Sequence, residues 1–252
     1  MKLASRILFS IIFFISSIGL GYGAAAFITS KLAGKEPLFA VAPTYTPTTS
    51  GVPIADPQAS PATAKVLPAS IHLTVPFLVQ APYGKWDALH EDACEETSLI
   101  MVEHFLKGTP LDAAGGDAQI HDLITIETSE GLGTSITLEQ LSSLAKSHYG
   151  LQGTVLENIS IESIKTALAA GKPVIVGAAG KELAQPYFTA GGPNYHMLVI
   201  VGYDGTDFIT NDPGVRQGRD FRYSQSNLFQ AIHNWNPTNI DQGQKSMLTF
   251  SL

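Results

Sequence analysis

An uncharged run over residues 7–30, rich in Ile, Phe, Leu and Ala and preceded by Lys2 and Arg6, governs what the rest of the chain can be. An apolar helix needs about 20 residues to cross a bilayer, and this run is long enough. Flanking positive charge holds the N-terminus inside, so the remainder of the chain is expected outside the cytoplasm, on the cell membrane. Two readings share that outcome. In the first, residues 1–31 are an uncleaved, single-pass transmembrane anchor. In the second they are a signal peptide with residues 7–20 as its core and Ala24-Ala25-Ala26 at the cleavage region, after which the domain is secreted. The length of the run favours the anchor.

Residues 32–70 obey a different rule. Seven of the chain's 15 prolines fall there (Pro37, Pro43, Pro47, Pro53, Pro57, Pro61 and Pro68), separated by Thr, Ser and Ala. Such a segment buries too little apolar surface to offset its chain entropy, and is expected as a disordered, extended spacer. Folding is left to residues 71–252, one domain of ordinary size. That domain carries 10 Lys and Arg against 20 acidic residues. No basic patch of the kind that displaces counterions from nucleic acid can be assembled from so few positives, and nucleic-acid binding is excluded on that ground. Cys94 is the single cysteine, so no disulfide forms within the chain and no multi-cysteine zinc site can be built.

The periodicities within 71–252 predict an α+β domain. Residues 71–79 read as an extended lead-in. A helix is expected over 93–107, with Asp92 as N-cap, Glu95 as its capping-box partner and Gly108 as the stop. Thr137 and Gln140 form a second capping box, ahead of a helix stopped by Gly150. A third helix is expected over 160–170. Strands then dominate at 173–178, 196–203 and 207–210, before a short helix near 224–233 and a last strand over 247–252. Asp204-Gly205 between two Val/Ile-rich strands is a hairpin signal.

Cys94 falls in the first turn of its helix, where the partial positive charge of the helix end favours a thiolate. Position alone does not separate a nucleophile from a buried apolar cysteine. His196 opens a strand whose hairpin partner ends at Asn211-Asp212. With Asp204 and Gly205 as the two central turn residues, His196 stands opposite Pro213 and Asp212 opposite Met197. Imidazole and carboxylate are then near neighbours, about 5–8 Å apart at the backbone. A carboxylate there can orient the ring while the ring accepts a thiol proton.

The run VPFLVQAPYGKW followed by ACEETSLIMVEHFLKG resembles the start of a C39-like peptidase domain, within the papain-like cysteine peptidases. GKPVIVG, YHMLVIVGYDG and FITNDPG resemble its second half, in the same order, and the likeness spans about 70–235. It implies a papain-like fold with N-terminal helices packed on an antiparallel sheet. It also implies Cys94 as nucleophile, His196 as general base and Asp212 as the orienting acid. Gln80 becomes a carboxamide donor to the oxyanion hole, beside the backbone N–H of Cys94, each such donor supplying about 3–4 kcal/mol. Asn211 is a second candidate for the orienting role. The chain departs from the family's Cys-Gly-Pro-Thr, reading Cys94-Glu95-Glu96-Thr97. Carboxylates aimed at the sulfur raise a thiol pKa and oppose the helix end, unless Glu95 turns back to cap the helix. Glu96 is a candidate to select a positively charged substrate group.

The expected activity is hydrolysis of peptide bonds in a peptide or protein substrate through a thioester, with no metal or organic cofactor. A non-catalytic peptide-binding module and a cell-wall peptide amidase or acyl transferase are the alternatives. His90, His104, His121, His148 and His233 show no spacing typical of a zinc site, and Asp204, Asp207 and Asp212 lack the pattern of a calcium loop. Gly191-Gly192-Pro193 is expected as a mobile rim. Tyr83, Trp86, Tyr195 and Trp235 are candidates to line the cleft or to fill the core.

Overall fold

The computed structural model describes residues 66–252. The apolar run 7–30, the anchor or signal peptide proposed on it, and all but the end of the 32–70 spacer lie outside the described residues. Among the described residues no helix is long and apolar enough to cross a membrane.

The organising element is the strand β4 (Tyr195–Asp204), buried along all but its last residue. Its Val and Ile residues face both ways, which suits a central strand covered on both sides. β3 (Val174–Ala179) pairs with its first half, and β1 (Ser70–His72) takes over on the same edge at Gly202–Asp204. β5 (Asp207–Asn211) runs along the other edge and is flanked by β6 (Phe221–Ser224). With β2 (Gln152–Glu157) and β7 (Ser246–Ser251) the sheet has seven strands in the order β2-β7-β3-β4-β5-β6, with β1 also on β4, and every pair is antiparallel.

Alternation along β4 sorts the core into two layers. Met197, Val199 and Val201 meet the three helices α1 (Cys94–Lys107), α2 (Ala113–Ser129) and α3 (Leu138–Tyr149). Leu198 and Ile200 meet α4 (Ile161–Ala169) and α5 (Gln225–Ala231) on the opposite face. The architecture is therefore α+β, with N-terminal helices on an antiparallel sheet and two shorter helices closing its second face.

The local punctuation obeys the residue chemistry where caps are strong. Thr137 and Gln140 form the expected reciprocal cap of α3, and Gly150 ends it in a left-handed conformation. Ser160 caps α4 in the same way with Ser163. α1 departs from expectation. Ala93 stands at its N-cap with no side-chain cap, because Asp92 is the last residue of a separate 3-10 turn, His90–Asp92.

Three elements went unanticipated. α2 opens with Ala-Ala-Gly-Gly, which reads as loop, yet Asp112 caps it by accepting from the Gly115 N–H. Gly116 lets it approach Leu78, whose Cδ2 would lie 2.5 Å from a Cβ there. β2 and β6 are short, partly exposed strands at the two ends of the sheet, where no continuous apolar run is needed.

The β4–β5 hairpin corrects the expected register. Asp204 pairs with Asp207, so Gly205 and Thr206 are the central turn residues, and Gly205 takes the positive φ of 57°. A glycine at the first central position, followed by a residue without positive φ, is the pattern of a type II′ turn. A bulge between Ile200 and Gly202 then shifts the ladder once more, and its last pair is Val199 with Asn211. Asp212 consequently does not stand opposite Met197. It lies just beyond the ladder, with Gly218 oxygen accepting from its N–H at 2.9 Å.

Candidate active site

A cleft of about 570 Å³ opens where the start of α1 meets the first residues of β4, and Gln80, Cys94, Glu95 and His196 all line it. Cys94 is the first residue of α1, next to the uncapped helix end. The first N–H groups of a helix have no intrahelical acceptor, so the Cys94 N–H is available to the cleft.

The thiol's surroundings oppose the thiolate that the helix end favours. Cys94 is 6% exposed. Its Sγ donates to Glu95 Oε2 at 2.8 Å, so Glu95 faces the sulfur rather than capping the helix. Burial pushes the thiol pKa up, and the adjacent charges of Glu95 and Glu96 push it further, while the Met197 backbone N–H opposes them weakly. The helix-end effect, typically about 0.3–1 kcal/mol, is outweighed by burial together with the Glu95 carboxyl group in direct contact. The resting group is a neutral thiol. Glu95 Oε1 in turn accepts from the Ile136 N–H at 3.4 Å, which fixes the carboxyl group from its other side.

His196 and Asp212 form a buried pair at 2% and 0% exposure. The ring Nε2 lies 2.7 Å from Asp212 Oδ1. A carboxylate only accepts, so Nε2 carries the proton and Nδ1 holds the lone pair of the neutral ring. Asp212 is held by three further donors. The Tyr223 hydroxyl donates to Oδ2 at 2.7 Å, Gln185 Nε2 to Oδ2 at 3.2 Å, and the Gly214 N–H to Oδ1 at 3.0 Å. Burial alone would raise this carboxyl's pKa. The charge of His196 and the hydrogen bonds from His196, Tyr223 and Gln185 more than offset it and hold the pKa below the usual carboxylate range. Asn211 is turned elsewhere: its Nδ2 donates to Val75 oxygen and its Oδ1 accepts from the Asp220 N–H.

Gln80 reaches the cleft wall with its carboxamide nitrogen already committed. Nε2 donates to His90 oxygen at 2.8 Å and to Glu91 oxygen at 3.0 Å. Its Oε1 is buried without a partner. Both N–H groups of the Gln80 carboxamide are therefore in use, whereas that of the Cys94 backbone is not.

Three groups around His196 carried no readable signal. Gln185 and Tyr223 hold Asp212, and Tyr223 sits on an edge strand that the pattern did not reveal. The Phe188 ring stands edge-on to the imidazole, 5.2 Å between centroids at 83°. Gly214 completes the enclosure, because a Cβ there would lie 2.8 Å from His196 Cε1 and 2.9 Å from Phe188 Cε1. Gly214→Ala is expected to displace the imidazole. In the peptide hydrolysis expected from the sequence, kcat/KM should then fall about 10–100-fold, the cost of misplacing a reacting group by roughly 1 Å.

Of the remaining sequence candidates, Trp86, 40% exposed, and Tyr195, buried with its ring against Trp235, both line the cleft, whereas Tyr83 is exposed and is not part of its wall. Gly192 and Pro193 form part of the rim. Contrary to the expectation from spacing, His90 and His121 come together beside Asp117.

The model of the Peptidase_C39 like family matches residues 72–240. Among solved structures, the chain is similar to a protein described as a C39-like peptidase from Bacillus anthracis, at 19% identity and a TM-score of 0.50, covering 73% of this chain and 98% of that one. It also matches xylellain, a cysteine protease from Xylella fastidiosa, at 14% identity and a TM-score of 0.40, over 74% of this chain and 87% of that one. No curated protein matches. The match over 72–240 takes in the start of α1, all of β4 and the turn after β5, and it makes the chain a member of the Peptidase_C39 like family.

Proposed function

We propose that this chain is a cysteine peptidase tethered outside the cytoplasm, with Cys94, His196 and Asp212 as its catalytic groups. The observation that carries the reading is the buried His196–Asp212 pair, whose imidazole lines the same cleft as the only cysteine of the chain. Family membership supports a cysteine peptidase type of function. The uncharged run over 7–30 supports the tether and the spacer reading of 32–70 supports reach from it.

Chemically, the neutral thiol sets the order of events. His196 accepts the Cys94 proton at Nδ1 as sulfur attacks the peptide carbonyl, and Asp212 stabilises the imidazolium. The C–N bond then breaks, the amine leaves with the proton from His196, and a thioester remains on Sγ. Water, deprotonated by the same imidazole, hydrolyses it. The Cys94 backbone N–H supplies one oxyanion donor directly. Gln80 supplies a second on release of one of the two carbonyls that it now serves.

One observation favours a second reading. Cys94 donates to Glu95 rather than to the imidazole, as expected of a peptide-binding module that has lost turnover. Incubating the full-length chain with a defined peptide mixture separates the two. The peptidase produces new amino termini, and prior alkylation with iodoacetamide abolishes them. Retained peptide binding without new termini would sink the peptidase and leave the module.

A further inference from the structure

His90 sits in a conflict that the cleft chemistry does not use. Its Nδ1 lies 2.7 Å from Asp87 Oδ1 and its Nε2 lies 3.0 Å from Asp117 Oδ1. A neutral imidazole has a single N–H, and both partners are carboxylates that only accept. Satisfying both contacts takes one more proton, on the ring or on a carboxyl, or a metal ion in its place. The groups around Nε2 are of the kinds that ligate a metal ion. Asp117 and His121 stand one helical turn apart on α2, and the ligand atoms of His90, Asp117 and His121 all lie within 4.8 Å of one another. His121 Nε2 is 4.0 Å from Asp117 Oδ2, and its side chain is 52% exposed, free to swing the remaining distance. The two imidazoles meet edge to face, 5.6 Å between centroids at 84°.

We propose that His90, Asp117 and His121 bind one zinc-type transition-metal ion, which ties the turn before Cys94 to α2. Two imidazoles and a carboxylate are borderline donors that select zinc or cobalt over calcium and magnesium, which take oxygen ligands. Metal on Nε2 leaves the proton on Nδ1, where Asp87 accepts it. This carboxylate–histidine–metal relay fixes the tautomer and the plane of a ligating ring. Three protein ligands leave one position for water, as in open zinc sites.

The site reaches the cleft through the backbone. The carbonyl oxygens of His90 and Glu91 accept both carboxamide N–H groups of Gln80, and Cys94 comes four residues after His90. Fixing His90 to α2 therefore fixes the wall that holds Gln80 and the approach to the start of α1. The ion is a positioning element, independent of whether the cleft cleaves peptides.

The test uses the full-length chain in mild detergent, stripped with a chelator and titrated with zinc chloride by calorimetry. The expected result is one ion per chain and a rise in Tm on loading. Asp117→Ala and His121→Ala should each abolish this binding, and Asp87→Asn should weaken it about 10–100-fold. Cys94→Ala should leave it intact, and a cobalt-loaded sample should show ligand-field bands without a thiolate-to-metal charge-transfer band. Calcium chloride should bind no ion there. Absence of zinc binding in the wild type would overturn the proposal. So would a zinc stoichiometry unchanged in His121→Ala and lost in Cys94→Ala, which would place the ion in the cleft.

Discussion

Asp212→Ala is expected to lower kcat/KM for peptide hydrolysis about 10³–10⁴-fold, the scale on which loss of an orienting carboxylate disables a general-base histidine. Four donors converge on that carboxylate: His196 Nε2, the Tyr223 hydroxyl, Gln185 Nε2 and the Gly214 N–H. Removing it leaves them buried without an acceptor, and breaking such a buried pair costs about 3–5 kcal/mol. In a domain of this size that lowers Tm by about 10 °C or more. Asp212→Asn separates catalysis from stability. It keeps the shape and much of the packing, but its amide donates to Nε2 and moves the imidazole proton to Nδ1. Activity should then fall nearly as far as in Asp212→Ala while Tm falls less. Hydrolysis within tenfold of wild type in Asp212→Ala would remove this residue from the mechanism. Asn211 does not rescue the loss, since its side chain is bonded to Val75 and Asp220 on the other side of the turn.

Thermal stability is expected to fall as pH rises from about 5 to about 9, the reverse of ordinary acid denaturation. Glu95, Glu96 and Glu127 are buried together, and among the described residues no Lys or Arg pairs with them. Burial pushes the Glu95 carboxyl up to about 8. Burial, then the charge of Glu95 and the hydrogen bond with Glu127, raises Glu96 well beyond the usual range. Glu127 is raised by burial, with the charge of Glu130 adding to it and the bond with Glu96 opposing it.

The folded state therefore keeps protons that the unfolded chain releases above about pH 4.3. Stability is fully present below that pH and is lost as pH climbs through the folded values near 8 and above. Asp212 works in the opposite sense, since its lowered pKa confines its loss to pH below about 4. Each pH unit over which one such carboxyl stays protonated in the fold alone removes about 1.4 kcal/mol, and each kcal/mol lowers Tm by about 2–4 °C. A drop of at least about 10 °C between pH 5 and pH 9 is expected by calorimetry. Glu95→Gln should flatten the slope, because Gln retains the acceptor for the Ile136 N–H without a titrating group. The same variant should bring the Cys94 thiol pKa down, read from the pH dependence of alkylation, because the charge and hydrogen bond of Glu95 both hold it up. A Tm that rises from pH 5 to 9 would contradict the burial of neutral carboxyls.

What the sequence made legible depended on whether the decisive interaction was local. Thr137/Gln140 and Ser160 signalled their helices because a cap is satisfied within one turn of chain. The Val/Ile-rich strand at Tyr195–Asp204 was visible because burial on both faces demands a continuous apolar run. The candidate catalytic residues came from the resemblance, and the meeting of Gln80, Cys94 and His196 in one cleft, with Asp212 buried against the imidazole, is a tertiary fact that spacing alone does not contain. The expected hairpin register was wrong, since both the turn position of Gly205 and the bulge near Val201 depend on packing across the sheet.

Glu95 was the most instructive departure. Its place three residues after Asp92 fits a capping box, but the 3-10 turn His90–Asp92 displaces the cap and frees the carboxyl to meet the sulfur. The helix α2 was missed because Gly115-Gly116 reads as loop, and with it went the one-turn spacing of Asp117 and His121. His90 is nearly 30 residues away, so only the packing of the 3-10 turn on α2 brings the three side chains together.

Mass spectrometry of the intact chain, quenched in acid during turnover of a peptide pool, tests the nucleophile most directly. The expected result is a covalent acyl adduct that maps to Cys94 and disappears in Cys94→Ala together with all cleavage. Cleavage that persists at the wild-type rate in Cys94→Ala, or an adduct carried by any other residue, would contradict it.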